Sequence, residues 1–531
     1  MGIRLALDEW RKLLGEEAVL DEQATMAAFG ADASAIARRI PAALRVVDGT
    51  LIPEIVRIAN RHAVSLYPIS TGKNWGYGTA LPAQDDSVIL DLSGMKKILH
   101  FDHELGVVTL EPGVTQAMLA EFLDNGGFEF LVPVTGAGPQ CSLVGNALER
   151  GYGITPFVDH FGAVTDIEAV LADGSVYRTA LNEAGGADLA RLFKWGIGPY
   201  SAGLFTQSGF GIVTKMTITL ARRPECVKVC LFSLKEDHLL EQAVERIRSI
   251  LAILPGTVGG INLMNRHRVL AMSAPFPAEQ LGSDGMIPES VIEQLGRQYQ
   301  VFPWTGFGTL YGTKRVVAAA QKEIRKRLSG IASRLLFLSP QNAKMLSSVA
   351  QYLPGASGRR LAGTLTTLAQ SLELVAGRPN ETALPLCYWR NPMRPSASLR
   401  DPSRDGCGLI WYAPLVPMRP SGVREYIQMV TEVTLRHRIE PLITLTSIND
   451  KLFDSTVPLI FERQNQEAVD AATACYKDLL ATGRGMGVFP YRVGINSMRT
   501  LQEYLAASAA FHSKLAAAID PCGVIAPGRY R

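Results

Sequence analysis

Pro68-Ile69-Ser70-Thr71-Gly72-Lys73-Asn74-Trp75-Gly76-Tyr77-Gly78 is the stretch on which the reading of this chain turns. A strand-like apolar lead-in, Ala63-Val64-Ser65-Leu66-Tyr67, precedes it. The loop gathers three glycines, two hydroxyl side chains, an amide and a lysine. Glycine lacks Cβ, so the backbone can adopt positive φ and a ligand can come close. Successive N–H groups in such a turn can converge on an anion, with phosphate or pyrophosphate as the natural guest. A plain surface turn is the competing reading, but turns rarely need Lys, Asn, Trp and Tyr between their glycines. The spacing is neither GxxxxGK(S/T) nor a GxGxxG between strand and helix, which disfavours a P-loop or a doubly wound dinucleotide domain.

Outward from this loop, 531 residues exceed one ordinary core, so two domains are the default. Hydrophobic content of 47% with 19% charged residues describes a well-buried globular chain. A net charge of +3 without a basic run does not imply nucleic acid. No apolar stretch reaches membrane-spanning length, and the opening residues turn charged at once, so neither a membrane span nor a signal segment is expected. Seven scattered cysteines without CxxC suit reduced thiols in a cytosolic protein, with the periplasm as the alternative. The eight histidines form no HExxH and no cluster with cysteine, so no metal site is expected.

Along the chain, residues 8–40 and 54–62 read as helical, 87–92 and 106–113 as strands, and Val114 to Asn125 as a helix ended by Gly126-Gly127. A second glycine-rich loop, Gly136-Ala137-Gly138-Pro139-Gln140-Cys141-Ser142-Leu143-Val144-Gly145-Asn146, leads to Asp159-His160-Phe161-Gly162. Alone, His160 reads equally as a satisfied structural histidine. Asp173-Gly174 predicts a type I′ turn between two strands. Gly209 and Gly211 read as a close approach to a flat ligand or, equally, as a β-bulge pair. Beyond Pro224 the pattern becomes strand 227–234, helix 237–254, strand 304–311 and helix 314–333, then a long loop over 390–406 and short strands at 408–414, 442–445 and 488–493.

The first loop resembles the pyrophosphate loop of FAD-linked oxidases of the vanillyl-alcohol oxidase and p-cresol methylhydroxylase (PCMH) group. Similar blocks recur in the family's order at 144–162, 195–215, 409–414, 488–492 and 519–529, so the resemblance covers nearly the whole chain. It implies an α+β fold: a PCMH-type FAD-binding domain over 1–223, completed by 500–531, and an α/β cap, or substrate, domain over 224–499. It implies FAD held by Ser70, Thr71, Gly72, Lys73, Asn74, Gly76 and Gly78, by Gly138, Ser142, Gly145 and Asn146, and by His160, Gly211, Ile212, Val213 and Arg529. It also suggests a homodimer.

Tyr77, Tyr491 and Arg492 match the three family residues that bind a phenolic oxygen. A phenol ionises near pH ~10. Two hydroxyl donors and a permanent guanidinium lower that value in a dry pocket. The phenolate then releases a hydride from the para benzylic carbon to flavin N5, and the resulting p-quinone methide adds water or loses a proton to give a vinylphenol. A lone Tyr-Arg pair is more often structural; three matches in the right blocks reverse that balance. The implied activity is oxidation of 4-alkylphenols or 4-hydroxybenzyl alcohols. The alternative is a non-phenolic substrate, a 2-hydroxy acid or a secondary-metabolite alcohol, because one fold serves many reactions.

The chain departs from the family at instructive places. Ala137 stands where some oxidases carry an acid near flavin N5, and Thr444 where a second carboxylate is expected. Glu381 is a candidate base, out of register with the family's carboxylate. Thr444 leaves the base for water addition open, while Ala137 and Tyr388 favour a cytochrome c subunit or another external electron acceptor over oxygen. No CxxCH occurs, so any haem sits on another polypeptide. Leu409 occupies the histidyl attachment position of the oxidase branch. Tyr388 is the nearest match to the tyrosyl attachment residue of the other branch, against a core aromatic with non-covalent FAD. Cys141 is a lesser candidate for a flavin link, against a small buried thiol.

Overall fold

The helix Ile52–Arg61 buries Ile52, Ile55, Val56, Ile58 and Ala59 and carries a proline in its first turn, where the missing N–H costs nothing. It delivers the chain into the strand Leu66–Ile69, which ends at the glycine loop. That strand runs parallel to Val88–Asp91, which runs parallel to Ala43–Arg45, with Val19–Leu20 as an antiparallel edge. This computed structural model describes residues 2–350, 352, 355–391 and 399–530.

The chain divides into two compact units. The first comprises Met1–Gly153, Asp159–Arg222 and Arg492–Arg531; the second comprises Ile154–Val158 and Arg223–Tyr491. The chain thus re-enters the first unit at Arg492, earlier than the 500 expected, because the residues after it are pinned to the glycine loop: Ile495 N donates to Tyr77 O at 3.1 Å.

In the first unit, a second sheet is antiparallel throughout, in the order Ile98–Asp102, Val107–Leu110, Ile212–Thr219, Val164–Val170, Val176–Tyr177. The C-terminal tail extends the first sheet. Leu66 N donates to Val524 O, and Ala526 N to Leu66 O, each at 2.7 Å. The buried Asp520 carboxylate fixes this tail by accepting from Val524 N at 2.8 Å and Ile525 N at 2.9 Å.

The second unit is built on one antiparallel sheet. Its order is Ala332–Leu338, Cys226–Leu234, Trp304–Gly312, Val258–Asn265, Thr444–Ser447, Leu452–Glu462, Pro414–Pro417, Phe489–Pro490, and Cys407–Tyr412 also pairs with Leu452–Glu462. The helix Leu240–Ile253 buries Leu240, Ala243, Val244, Ile247, Ile250 and Leu251. Arg424, on the helix Pro420–Arg436, reaches Glu241 Oε1 at 2.8 Å and Asp237.

Several boundaries differ from the sequence reading. Residues 8–40 contain the helices Gly2–Leu14 and Glu22–Phe29, not one long helical stretch, and the second starts where Asp21 Oδ1 accepts from Ala24 N. The Asp173-Gly174 turn is not type I′: Gly174 has φ 80° but Asp173 is not left-handed, and Gly174 N bonds Leu171 O. Asp173 instead accepts from Ser175 N and Oγ, which favours an ordinary turn closed by one left-handed glycine. The helix expected to 333 stops at Leu328, and Ala332–Leu338 becomes an edge strand. Residues 488–493 pair only over Phe489–Pro490. Within the expected 390–406 loop, residues 392–398 lie outside the described ones. The helices Pro340–Ala350, Gly355–Val375, Pro420–Arg436 and Gln466–Gly485 carried no expectation.

Candidate functional site

The glycine loop folds as its composition demands. Gly72, Gly76 and Gly78 have φ of 64°, 79° and 114°. Asn74 O accepts from both Tyr77 N and Thr79 N, closing a tight turn. Among the described residues, the backbone N–H groups of Thr71, Gly72, Trp75 and Gly76 donate to no protein acceptor. A partly buried loop with several unspent donors is an anion nest. Ser70 and Thr71 face the second glycine loop: Ser142 N donates to Thr71 Oγ1 at 3.2 Å, and a Cβ on Gly145 would strike Ser70 Oγ. Lys73 Nζ lies 5.7 Å from the centre of the Trp75 ring.

Gly138, at φ 86°, turns the second loop, and Cys141 N closes it onto Gly138 O. The Ser142 side chain then caps the short helix Leu143–Leu148, its Oγ accepting from Gly145 N at 2.9 Å and donating to Pro112 O at 2.6 Å. Asn146 comes round to His160, where its amide donates to Nδ1 at 2.5 Å. That bond leaves the proton on His160 Nε2, which is buried with no partner among the described residues. Burial pulls the His160 pKa down to about 4, so the ring is neutral at ordinary pH. The Cys141 thiol is buried beside this loop, and burial raises its pKa.

Gly211, Ile212 and Val213 enter the strand Ile212–Thr219, with a register shift between Val213 and Lys215. The bulge lies just after the glycine pair. Arg529 is a buried cation that donates to Tyr67 Oη at 3.2 Å and ion-pairs with Glu149. Burial opposes its charge, yet the Glu149 carboxylate more than offsets this and its pKa is raised. Its Nε remains without a partner among the described residues. Glu149 and Tyr67 carried no expectation; the signal was a lone acid at the end of a glycine-rich loop and a tyrosine at the end of the lead-in.

The structure stacks Arg492 on Tyr77, with Cζ 3.9 Å from the ring centre, and sets Arg492 Nη1 3.5 Å from Asn74 Oδ1. Val493 N donates to Tyr530 Oη at 2.9 Å, which anchors the same segment. Tyr491 belongs to the second unit, where it follows the Phe489–Pro490 strand and donates its N–H to Ala413 O at 3.3 Å.

Also in the second unit, Tyr388 is buried and its hydroxyl donates to Asp405 Oδ2 at 2.6 Å. Burial, then Asp405, pushes its pKa up. Glu381 is tied to Arg400 at 3.1 Å, and Thr444 Oγ1 accepts from Arg268 Nε at 3.0 Å. Arg268 escaped the sequence reading; Asn265-Arg266-His267-Arg268, a cationic run straight after a strand, was its signal. Among the described residues no helix is long and apolar enough to cross a membrane, and no three His, Cys, Asp or Glu side chains gather to hold a metal ion.

A family described as "FAD binding domain" matches residues 44–180. The chain is 34% identical over 527 residues to a 1'-carboxy-chondrochloren decarboxylase of Chondromyces crocatus, covering 99% of this chain and 96% of the relative. It is 28% identical to the 4-cresol dehydrogenase (hydroxylating) flavoprotein subunit of Pseudomonas putida, over 99% of this chain and 94% of that one. The crystal structure of p-cresol methylhydroxylase with substrate bound superposes with a TM-score of 0.87 at 26% identity, covering 100% of this chain and 96% of that one.

Proposed function

This chain belongs to the PCMH and vanillyl-alcohol oxidase family of FAD-dependent oxidoreductases, and we propose from that premise that it oxidises para-substituted phenols at the benzylic carbon. When bound, FAD supplies the two-electron acceptor for a benzylic hydride. The unspent N–H groups of the first loop and the Cβ-free approach at Gly145 suit its diphosphate. The buried Nε2–H of His160 offers a donor to the same group.

The observation that carries this reading is the Arg492–Tyr77 stack, with Tyr491 next in the chain. A guanidinium and two phenolic donors suit one oxyanion. Arg492 holds the negative charge at the phenol oxygen, while Tyr77 and Tyr491 donate to it. The para-quinone methide formed on the substrate then takes up water or loses a proton. The electrons pass on to a cytochrome c subunit or another external acceptor. Tyr388 is the candidate for a covalent FAD link, which requires its hydroxyl to leave Asp405.

The test is anaerobic mixing of the FAD-loaded protein with 4-methylphenol, 4-ethylphenol and lactate in turn. Bleaching of the flavin by the phenols and not by lactate is expected. Bleaching by lactate alone would put the 2-hydroxy-acid reading in its place.

The decarboxylase relative favours a second reading, in which the phenol also loses a carboxyl group. With a carboxylate on the carbon next to the benzylic one, the quinone methide accepts the C–C bonding pair as CO2 departs. The phenolate is restored and a vinylphenol forms. No water and no base is needed, which suits Ala137 and Thr444. Release of one CO2 per flavin reduced from 3-(4-hydroxyphenyl)propionate is the outcome that separates the two readings.

A further inference from the structure

Arg268 is a desolvated cation that meets no acid among the described residues. It sits in the first turn of the helix Arg266–Ser273, where Asn265 Oδ1 caps its backbone N–H. Its Nε donates to the neutral hydroxyl of Thr444 at 3.0 Å, and Thr444 is buried at 5% exposure. Its Nη1 is closed off from solvent and has no hydrogen-bond partner among the described residues. The residue as a whole is half-buried.

The acids on neighbouring elements are committed elsewhere. Glu289 lies 3.7 Å from Arg266, and Glu440 accepts from Ile287 N at 3.0 Å and lies 3.8 Å from His267. The Cys387 thiol also faces Arg268, but burial pushes its pKa up to about 12, so it brings no charge. Desolvation lowers the Arg268 pKa to about 10, still well above neutrality. A buried charge normally has a counter-ion, and leaving one without is costly. A planar fork with one arm fixed by Thr444 and another unspent is shaped for a carboxylate.

We propose that Arg268, aimed by Thr444, is a carboxylate-recognition residue of the second unit, and that the molecule this enzyme oxidises carries a carboxylate on its side chain. The substrate class is thus 4-hydroxyphenyl alkanoates. The inference rests on the phenol-oxidation reading for the identity of the ring, not for the carboxylate.

The test crosses two ligand features on the FAD-loaded protein. The probes are 3-(4-hydroxyphenyl)propionate, 4-propylphenol, 3-phenylpropionate and propylbenzene, with affinity read from the flavin absorbance change and by calorimetry. The carboxylates should bind roughly tenfold to hundredfold tighter than their neutral partners, as a charge-assisted pair implies. That ratio should fall close to one in Arg268→Gln and be partly kept in Arg268→Lys. Equal affinities in the wild type, or a ratio unmoved by Arg268→Gln, overturn the proposal. If Arg268→Gln does not fold, the wild-type ratio and Thr444→Val, which frees the guanidinium to swing, decide it. A carboxylate preference that persists while the hydroxyl makes no difference and no phenol bleaches the flavin would instead sink the phenol reading and leave the carboxylate site standing.

Discussion

The Arg492 guanidinium lies over the face of the Tyr77 ring, 3.9 Å from its centre, although the two residues are far apart in sequence. Cation–π stacking holds the arginine flat and in place, leaving its edge to hydrogen-bond. Arg492→Gln and Tyr77→Phe should each slow anaerobic flavin reduction by 4-ethylphenol by about a hundredfold or more, the scale of a lost charge-stabilising group. Stopped-flow absorbance checks this. A slowing below threefold in both variants would remove the pair from the chemistry.

His160 and His267 both have pKa values lowered to about 4 by burial. An unfolded histidine titrates near ~6.5. Between those values the unfolded chain binds more protons than the folded one, so stability rises with pH there. It should be full above pH ~6.5 and be lost as pH falls toward ~4. Melting temperature measured across this window gives the slope, and His267→Gln should flatten it.

Glu149→Gln removes the carboxylate that balances Arg529. Both side chains are largely buried, so an uncompensated charge remains, at a cost of about 3 kcal/mol. Urea unfolding of the FAD-loaded protein measures it. The neighbouring Tyr67→Phe, which loses one hydrogen bond to the same arginine, should cost about 1.5 kcal/mol.

Gly145→Ala places a methyl against Ser70 Oγ, where the two glycine loops face each other. Overpacking of this kind costs about 1–3 kcal/mol. The loops must separate, so bound FAD per protein, read from the absorbance ratio, should fall. The double variant Ser70→Gly with Gly145→Ala should recover much of it, because the obstructing hydroxyl is gone.

The chain's local chemistry was legible in its residues. Glycines at 72, 76 and 78 announced positive φ, the glycines at 136, 138 and 145 announced a second tight loop, and strands such as Cys226–Leu234 and Trp304–Gly312 followed from apolar runs. These are short-range effects, fixed by sterics and hydrogen bonding within a few residues. Boundaries were less legible. The helix Lys314–Leu328 ended early because Ala332–Leu338 found a strand partner in Cys226–Leu234, a pairing no local pattern shows. The long helix Gly355–Val375 carries a helical repeat, Leu365, Leu368, Leu372 and Val375, that went unread, and the structure buries Leu372 and Val375 on that face.

What the sequence determined by itself was the inventory: a phosphate-type loop, a family order of blocks, and the residues Tyr77, Tyr491 and Arg492. Only the tertiary structure decided the company those residues keep. It put Glu149 against Arg529, Asn146 against His160, Ile525 beside Leu66, and Arg268 against Thr444. The physical reason is that a charge's partner is chosen by packing across hundreds of residues, whereas a turn is chosen by its own backbone.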